Sequence, residues 1–381
     1  MKIPPAIAVN KSEQIIQLTG ILKNSQSTVA SKKITAGYDG FIDSIVKIIR
    51  NKQKQKPNTL FKTIGAFGAY ITEKAGASLS LELEEISVKL GGNMPNLANA
   101  LGRLGATVNC VGALGYPQMH PVFKTLPRDC HLYSFAEPGA ATAFEFTDGK
   151  IMFAQIETLN QMGWNKIKNI IGIDTLIRLY QESHLFCLVN WSEIDASTGI
   201  WEGLLQDVLP QYAIRGEKQI AFFDLSDCSK RSNESISHVL TLLTQFQQYT
   251  KVILGLNKNE AAKIHRVLFG KKADKNLQYL GEDIFKKLNI DELVLHSSKE
   301  AFAFSKEGSF VAPGFFIKDP AMSTGAGDNF NAGFCIAKLL QLDPGLSLMF
   351  ANCVAALYVK TGISPELSDS IHFLEGMIKS K

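Results

Sequence analysis

Cysteine is sparse and scattered in this chain of 381 residues: six stand at 110, 130, 187, 228, 335 and 353, with no Cys-x-x-Cys pair. Four lie in apolar runs, such as Cys187 in LFCLV and Cys335 in GFCIA, which predicts buried reduced thiols and an intracellular setting. The seven histidines form no His-x-x-x-His pair and no cluster with cysteine, so a structural zinc site has no support. No Gly-x-Ser-x-Gly elbow occurs, which leaves a serine hydrolase without its nucleophile turn. Excess charge is also missing: a net +4 over this length gives no field for nucleic acid. The one basic cluster, Lys47, Arg50, Lys52, Lys54 and Lys56, has no interleaved aromatics, runs into Pro57-Asn58, and reads as a solvated loop. The start MKIPPAIAVNKSEQ has no long apolar stretch and nothing later approaches a membrane span, so a soluble, cytoplasmic protein is expected. No fixed-period repeat or low-complexity linker divides the chain. At 45% hydrophobic and 20% charged it has the composition of one large core plus an appendage.

What is present is concentrated in two glycine turns. Ser323-Thr324-Gly325-Ala326-Gly327-Asp328-Asn329-Phe330 opens an apolar stretch in which Phe330, Phe334, Ala337 and Leu340 share a helical face. A small-residue turn entering a helix leaves backbone N–H groups unpaired at the positive end of the dipole, a geometry that binds phosphate. Asp328 inside that turn would repel an anion, so it needs a reason to be there. Taking a proton from a hydroxyl that attacks phosphorus is one, and capping the helix is the plainer alternative.

The second turn is Gly91-Gly92-Asn93-Met94-Pro95-Asn96, followed by Leu97 to Gly105 with Leu-Gly-Arg-Leu-Gly at its end. Before it, Leu79, Leu81 and Leu83, then Ile86, Val88 and Leu90, alternate as in half-buried strands. Their phase slips at Glu84-Glu85, which predicts a bulge or a bend. A third segment, Val252 to Ala261, is a strand ending in the Asn-x-x-Glu step Asn257–Glu260 into a helix.

These three segments, in this order, resemble the ribokinase-like (PfkB) family of carbohydrate and nucleoside kinases, from about Lys33 to about Gly362. The resemblance implies an α/β fold of three layers, with a mostly parallel central sheet and a small β-sheet lid. The alternation of the chain agrees: strands near 33–39, 107–114, 185–190, 219–224, 251–256 and 292–296 alternate with helices. Helices are expected near 11–29, 96–104, 199–209, 234–248, 259–268, 328–340, 345–360 and 369–379. The whole chain would form one kinase domain, residues 1–381. A discontinuous lid would come from about 78–90 and 141–155, the latter a hairpin turning at Thr147-Asp148-Gly149-Lys150. Residues 44–77 exceed the family's usual link into the lid, and the sequence assigns them no role.

The resemblance also distributes roles. Asp328 matches the catalytic base, and the N–H groups of Gly325, Ala326 and Gly327 match the anion hole. Asn257 and Glu260 would organise Mg²⁺ and the triphosphate, Glu260 through water; the plainer reading is a turn with a first-turn acid. Ser298, Thr324 and Asn352 fall beside the nucleotide. Sugar hydroxyls would meet Asp43, Gly91, Gly92, Asn93 and Asn96, with Asp39 competing with Asp43 at the end of the first strand. Asp224 and Asp227 suit a cap or turn as well as a site. Three departures from the family pattern stand out: Met322 where relatives offer an Asp to a monovalent cation, His296-Ser297-Ser298 for Thr-x-Gly, and Gly115-Tyr116-Pro117 for Gly-x-Asp.

The expected activity is therefore transfer of the γ-phosphoryl group of ATP, with Mg²⁺, to a hydroxyl of a small sugar. A nucleoside kinase is the alternative, with Phe41, Phe144 and Phe146 as a possible aromatic shelf, and a catalytically weak sugar or nucleotide sensor is a third reading. A homodimer through the lid is compatible with the family. A dinucleotide oxidoreductase is disfavoured because Phe330 takes the third glycine position after Gly325 and Gly327.

Overall fold

The computed structural model describes residues 7–8, 11–52, 57–212, 218–270 and 276–379. Among them, a ten-stranded sheet runs in the spatial order β1 (Ile7–Ala8), β15 (Gly308–Pro313), β14 (Glu300–Ser305), β13 (Glu292–His296), β12 (Lys251–Asn257), β11 (Ile220–Asp224), β10 (Leu185–Leu188), β2 (Lys33–Tyr38), β6 (Thr107–Gly112) and β7 (Cys130–Ser134). The pairs from β7 to β13 are parallel, whereas β14 is antiparallel to both β13 and β15.

Parallel strands are buried on both faces, and side chains alternate between them. In β11, Phe222 belongs to one core and its neighbours Ala221 and Phe223 to the other. The first core is closed by helices Lys11–Lys23, Asn93–Arg103, Ala326–Leu339, Pro344–Thr361 and Leu367–Lys379, and the second by helices that include Ile173–Glu182, Ser197–Asp207, Asn233–Phe246, Lys258–Phe269 and Leu277–Leu288. This is the three-layer α/β/α arrangement. All six cysteines are buried and unpaired. Among the described residues no helix is long and apolar enough to cross a membrane.

The order of the strands locates the functional end. From β2 the chain builds outward to β6 and β7 on one side, then returns to β10 and builds outward to β13 on the other. Ligand crevices in parallel sheets open beyond the carboxyl ends of strands at such a reversal. Asp39 follows β2 and Asn190 follows β10, so both stand there.

A five-stranded second sheet places β3 (Phe41–Asn51) between β5 (Leu83–Gly91) and β8 (Gly139–Phe146), with β9 (Gly149–Gln155) beyond β8 and β4 (Thr59–Leu60) on the far end of β3. The strand expected at 78–90 begins only at Leu83, and its register slips between Ser87 and Glu85, leaving Ile86 as the bulge. The expected helix 11–29 breaks at Asn24-Ser25 into Lys11–Lys23 and Gln26–Ala30.

The segment 44–77 gains a structural account. It extends β3 to Asn51, forms β4, and folds helix Ile64–Glu73 against the lid. Phe61 meets Phe67 and Tyr70 with ring centroids 5.3 and 5.1 Å apart, and Phe67 meets Phe146 at 5.7 Å. The helix also grips the β8–β9 turn: Asp148 Oδ1 accepts the Ile64 N–H at 2.9 Å, and Lys62 O accepts the Thr147 N–H at 2.8 Å. The basic cluster read as a loop is partly strand, since Lys47 and Arg50 lie on β3; Arg50 covers the Phe61 ring at 5.7 Å, Lys52 pairs with Glu82 at 2.9 Å, and Lys54 and Lys56 fall outside the described residues.

Phe67→Ala is expected to loosen this small cluster without touching the large core. Hydrogen exchange should speed up over 59–73 and 144–150 while β10–β12 keep their protection. Equal acceleration everywhere would show that the helix is not a separate lid element.

Candidate active site

Asp39 is wholly buried and fully engaged. Its Oδ2 accepts from the Asn93 N–H at 2.8 Å and from Asn190 Nδ2 at 2.7 Å, and its Oδ1 accepts from the Met94 N–H at 2.7 Å. It thereby satisfies the first turn of helix Asn93–Arg103, whose N-cap position is Gly92 at φ +90°. A side chain at Gly92 would fall 2.5 Å from Asp39 Oδ2, which requires glycine there. Burial raises the Asp39 pKa to about 6 against these three donors. Both its oxygens already accept hydrogen bonds from the fold.

The second turn faces the first. Gly325 takes a left-handed φ of +90° ahead of helix Ala326–Leu339, and a side chain on it would meet Tyr358 Oη at 2.8 Å. The Tyr358 hydroxyl donates to Thr324 O at 2.8 Å, and Asn329 Nδ2 donates to Gly325 O at 2.9 Å; together they brace the turn. The N–H groups of Gly325, Gly327 and Asp328 have no acceptor among the described residues. Ala326 departs from the expectation, because its N–H donates to Ser323 O at 3.2 Å within the turn itself. Asp328 is half-buried, and its pKa rises well above the usual carboxylate range, first through burial and then through Asp224 and Asp39; the Asn96 amide opposes the rise by hydrogen bonding. The two glycine turns therefore meet, with Asn96 against Asp328.

Around this pair the remaining acids are braced. Asp224 accepts from Asn331 Nδ2 at 2.6 Å and from the Ser226 N–H at 2.7 Å, which ties the end of β11 to the Asp328 helix. Asp227 caps a short turn through the Ser229 N–H at 2.9 Å. Asn257 and Glu260 form a reciprocal capping box: Asn257 Oδ1 accepts the Glu260 N–H at 3.1 Å, and Glu260 Oε2 accepts the Asn257 N–H at 2.8 Å. Glu260 is buried, and its pKa is pushed well up by burial and by Asp224.

Of the residues expected beside a nucleotide, Thr324 directly precedes Gly325 in the second glycine turn. Ser298 is exposed in the turn joining β13 and β14. Asn352 is spent on fastening its helix to β15, its Nδ2 donating to Pro313 O at 3.2 Å and Ala312 O at 3.4 Å. His296 packs beside Gly327 of the second glycine turn with its ring 4.7 Å from Phe330, and burial lowers its pKa to about 4, keeping it neutral.

The lid sheet supplies the other wall. Asp43 on β3 is half-buried opposite Lys89 of β5, and its carboxyl lies so close to Gly91 that no side chain fits there. Burial raises the Asp43 pKa, opposed by Lys89 and Lys150. Phe41 shares the Asp43 face of β3. Phe144 and Phe146 do not: Ala141 pairs with Asp43, and residues an odd number of positions away project to the opposite face. There Phe144 meets Phe153 at 5.5 Å and Phe146 meets Phe67 at 5.7 Å, so the expected aromatic shelf is not assembled.

Three residues at this site escaped sequence reasoning: Tyr358, Lys89 and Lys150. Tyr358 has its pKa raised to about 12, first by burial and then by Asp328 and Asp43. It sits in a helix of apolar residues, where one tyrosine carries no motif. Lys150 closes the β8–β9 turn signal, and nothing in the sequence sets it apart from that turn.

A sequence profile of the prokaryotic ketohexokinase family matches residues 18–377. A ketohexokinase of Haloferax volcanii is 27% identical over 351 residues, covering 91% of this chain and 92% of that protein. Among solved structures, a ribokinase of Thermotoga maritima superposes with a TM-score of 0.60 at 16% identity over 91% of this chain and 99% of its own. Arabidopsis thaliana ribokinase complexed with ribose and ATP gives 0.59 at 15% over 90% and 98%.

Asp39 and Asp43 should separate cleanly on mutation. Asp39→Ala orphans two backbone N–H groups and the Asn190 amide, and is expected to cost roughly 2–4 kcal/mol in denaturant unfolding. Asp43→Ala should leave unfolding within about 1 kcal/mol of wild type, because its carboxyl holds no backbone group. The reverse order would exchange their roles.

Proposed function

Because the chain belongs to the prokaryotic ketohexokinase family, and is a carbohydrate kinase of the PfkB type, we propose that it transfers the γ-phosphoryl group of ATP to a hydroxyl of a ketohexose. The observation that carries this reading is the meeting of the two glycine turns: a carboxylate, Asp328, stands beside three N–H groups without acceptors and against Asn96. Asp328 takes the proton of the acceptor hydroxyl, the hydroxyl oxygen bonds to the γ-phosphorus, and ADP departs with the bridging oxygen. The amides of Gly325, Gly327 and Asp328 receive the charge on the moving group. Asp43, with Asn93 and Asn96, holds the remaining hydroxyls, and the raised Asp328 pKa makes its ionised form a stronger base.

Mg²⁺ neutralises triphosphate charge when it is bound with the nucleotide. Among the described residues no three metal-ligating side chains are grouped to cage an ion. Asp224 and Asp227 raise the pKa of Glu260, so these acids lack compensating positive charge. Negative charge without a cage suits a hydrated Mg²⁺ held through water. Asn257 serves this arrangement by orienting Glu260 through the capping box.

The sugar reading gains over the nucleoside reading from Phe144 and Phe146, which project away from the Asp43 face. A lid homodimer would cover Val88 and Phe153, which share the outer face and are 44% and 62% exposed; sedimentation reads its mass directly. Cytoplasmic placement follows from the reading of an ATP-dependent sugar kinase.

A turnover screen with ATP should give a ketohexose the highest kcat/KM among ketohexoses, aldohexoses, pentoses and nucleosides; a nucleoside in first place would reverse the assignment. Asp328→Asn should lower kcat by about 10²–10⁴-fold while ATP affinity holds or improves. The same variant should melt higher than wild type at pH 7. An acid whose folded pKa is raised destabilises the fold from the pH at which the unfolded chain ionises upward, so the difference should vanish below about pH 4. Met322 offers a thioether where relatives offer a carboxylate, so replacing a bulky organic cation by K⁺ at constant ionic strength should change kcat by less than about twofold.

A further inference from the structure

The lid carries two lysines on its inner face. In the β3–β5 register Asp43 is paired with Lys89, and in the β8–β9 register Glu145 is paired with Lys150. Asp43 pairs with Ala141 on β8, and Glu145 is four residues further along, so all four side chains project from one face. That face looks onto the phosphoryl turn. Lys150 Nζ lies 3.0 Å from Thr324 Oγ1, next to Gly325, and Lys89 Nζ lies 3.9 Å from Met322 Sδ.

Neither ammonium is well compensated. Lys150 has Glu145 at 3.7 Å, a loose pair, and Lys89 makes no ion pair among the described residues. Burial, and then Lys150 itself, disfavour the charged form of Lys89, while Asp43 and Glu145 favour it. Two cations brought together over an anion-binding turn, with a thioether and a hydroxyl as their nearest partners there, leave a place that a phosphate would complete.

We infer that Lys89 and Lys150 form a phosphate clamp on the lid, closing over the group in transfer between Asp43 and Thr324. The clamp rests on the kinase reading above. It makes both lysines catalytic residues of that reaction: they touch the phosphoryl oxygens and stabilise charge without exchanging a proton. The phosphate has two sources, the γ-phosphate of ATP before transfer and the sugar phosphate after it.

Calorimetry on full-length Lys89→Met, Lys150→Met and the charge-keeping Lys150→Arg distinguishes them, with Lys52→Met at the distant Glu82 pair as control. Affinities for ATP, ADP, the neutral ketohexose and its purified phosphate product are measured beside kcat. The Met variants should lose roughly 10–100-fold in kcat and about tenfold in affinity for ATP, for the product, or for both. ADP and neutral ketohexose should bind within about threefold of wild type, Lys150→Arg should recover most of the loss, and Lys52→Met should match wild type. Loss confined to ATP assigns the clamp to the donor phosphate, and loss confined to the product assigns it to the acceptor phosphate. Unchanged affinity for both, or an equal loss for neutral sugar, overturns the clamp and leaves the lysines as lid supports. If wild type turns over no ketohexose, the kinase reading fails for that acceptor, and the clamp then stands or falls as a donor-phosphate clamp on the ATP-against-ADP comparison.

Discussion

The site depends first on the burial of one carboxylate. Asp39 gathers the N–H groups of Asn93 and Met94 and the Asn190 amide, and so joins β2, β10 and helix Asn93–Arg103 where the order of the parallel sheet reverses. A buried charge of this kind is tolerated only when its lone pairs are met. Meeting them fixes where the helix begins, which sets Gly92 and Asn93 and brings Asn96 to Asp328. The two glycine turns are thus aligned by a residue whose own oxygens hold the fold together.

Charge is then divided between floor and lid. Asp328, Asp224 and Glu260 crowd the floor at the strand ends, each with its pKa raised by burial, and for Asp328 and Glu260 by the neighbouring acids as well. The lid answers with Lys89 and Lys150. Neutral amides brace the floor, Asn331 on Asp224 and Asn257 on Glu260. Crowding of this kind gives up stability, a trade that functional sites commonly make.

Much of this was legible in the sequence because the signals were backbone signals. Glycine at 91, 92, 325 and 327 marks close approaches, and Asn257 with Glu260 marks a helix start; such patterns survive without knowledge of tertiary partners. The central strands announced themselves as continuous apolar runs, and β10 to β13 lie within one or two residues of the expected spans. The failures are of another kind. Whether Asp39 or Asp43 faces the acceptor depends on donors 54 and 151 residues away. The direction of Phe144 depends on sheet register, in which a single step exchanges the faces. Helix Ile64–Glu73 finds its partners in Phe61 and Phe146, which no local periodicity reveals. Tyr358 and the two lid lysines gain meaning only across the gap between two sheets.

The six thiols, all buried in the two cores, make the surface chemically silent toward thiol reagents. A single cysteine placed on the exposed Met152 position of β9, with a second on the rigid body of the large sheet, would therefore accept a donor and an acceptor dye while the native thiols stayed protected. The distance between lid and sheet would then become a spectroscopic coordinate, followed molecule by molecule, in a chain that needs none of its own cysteines removed first.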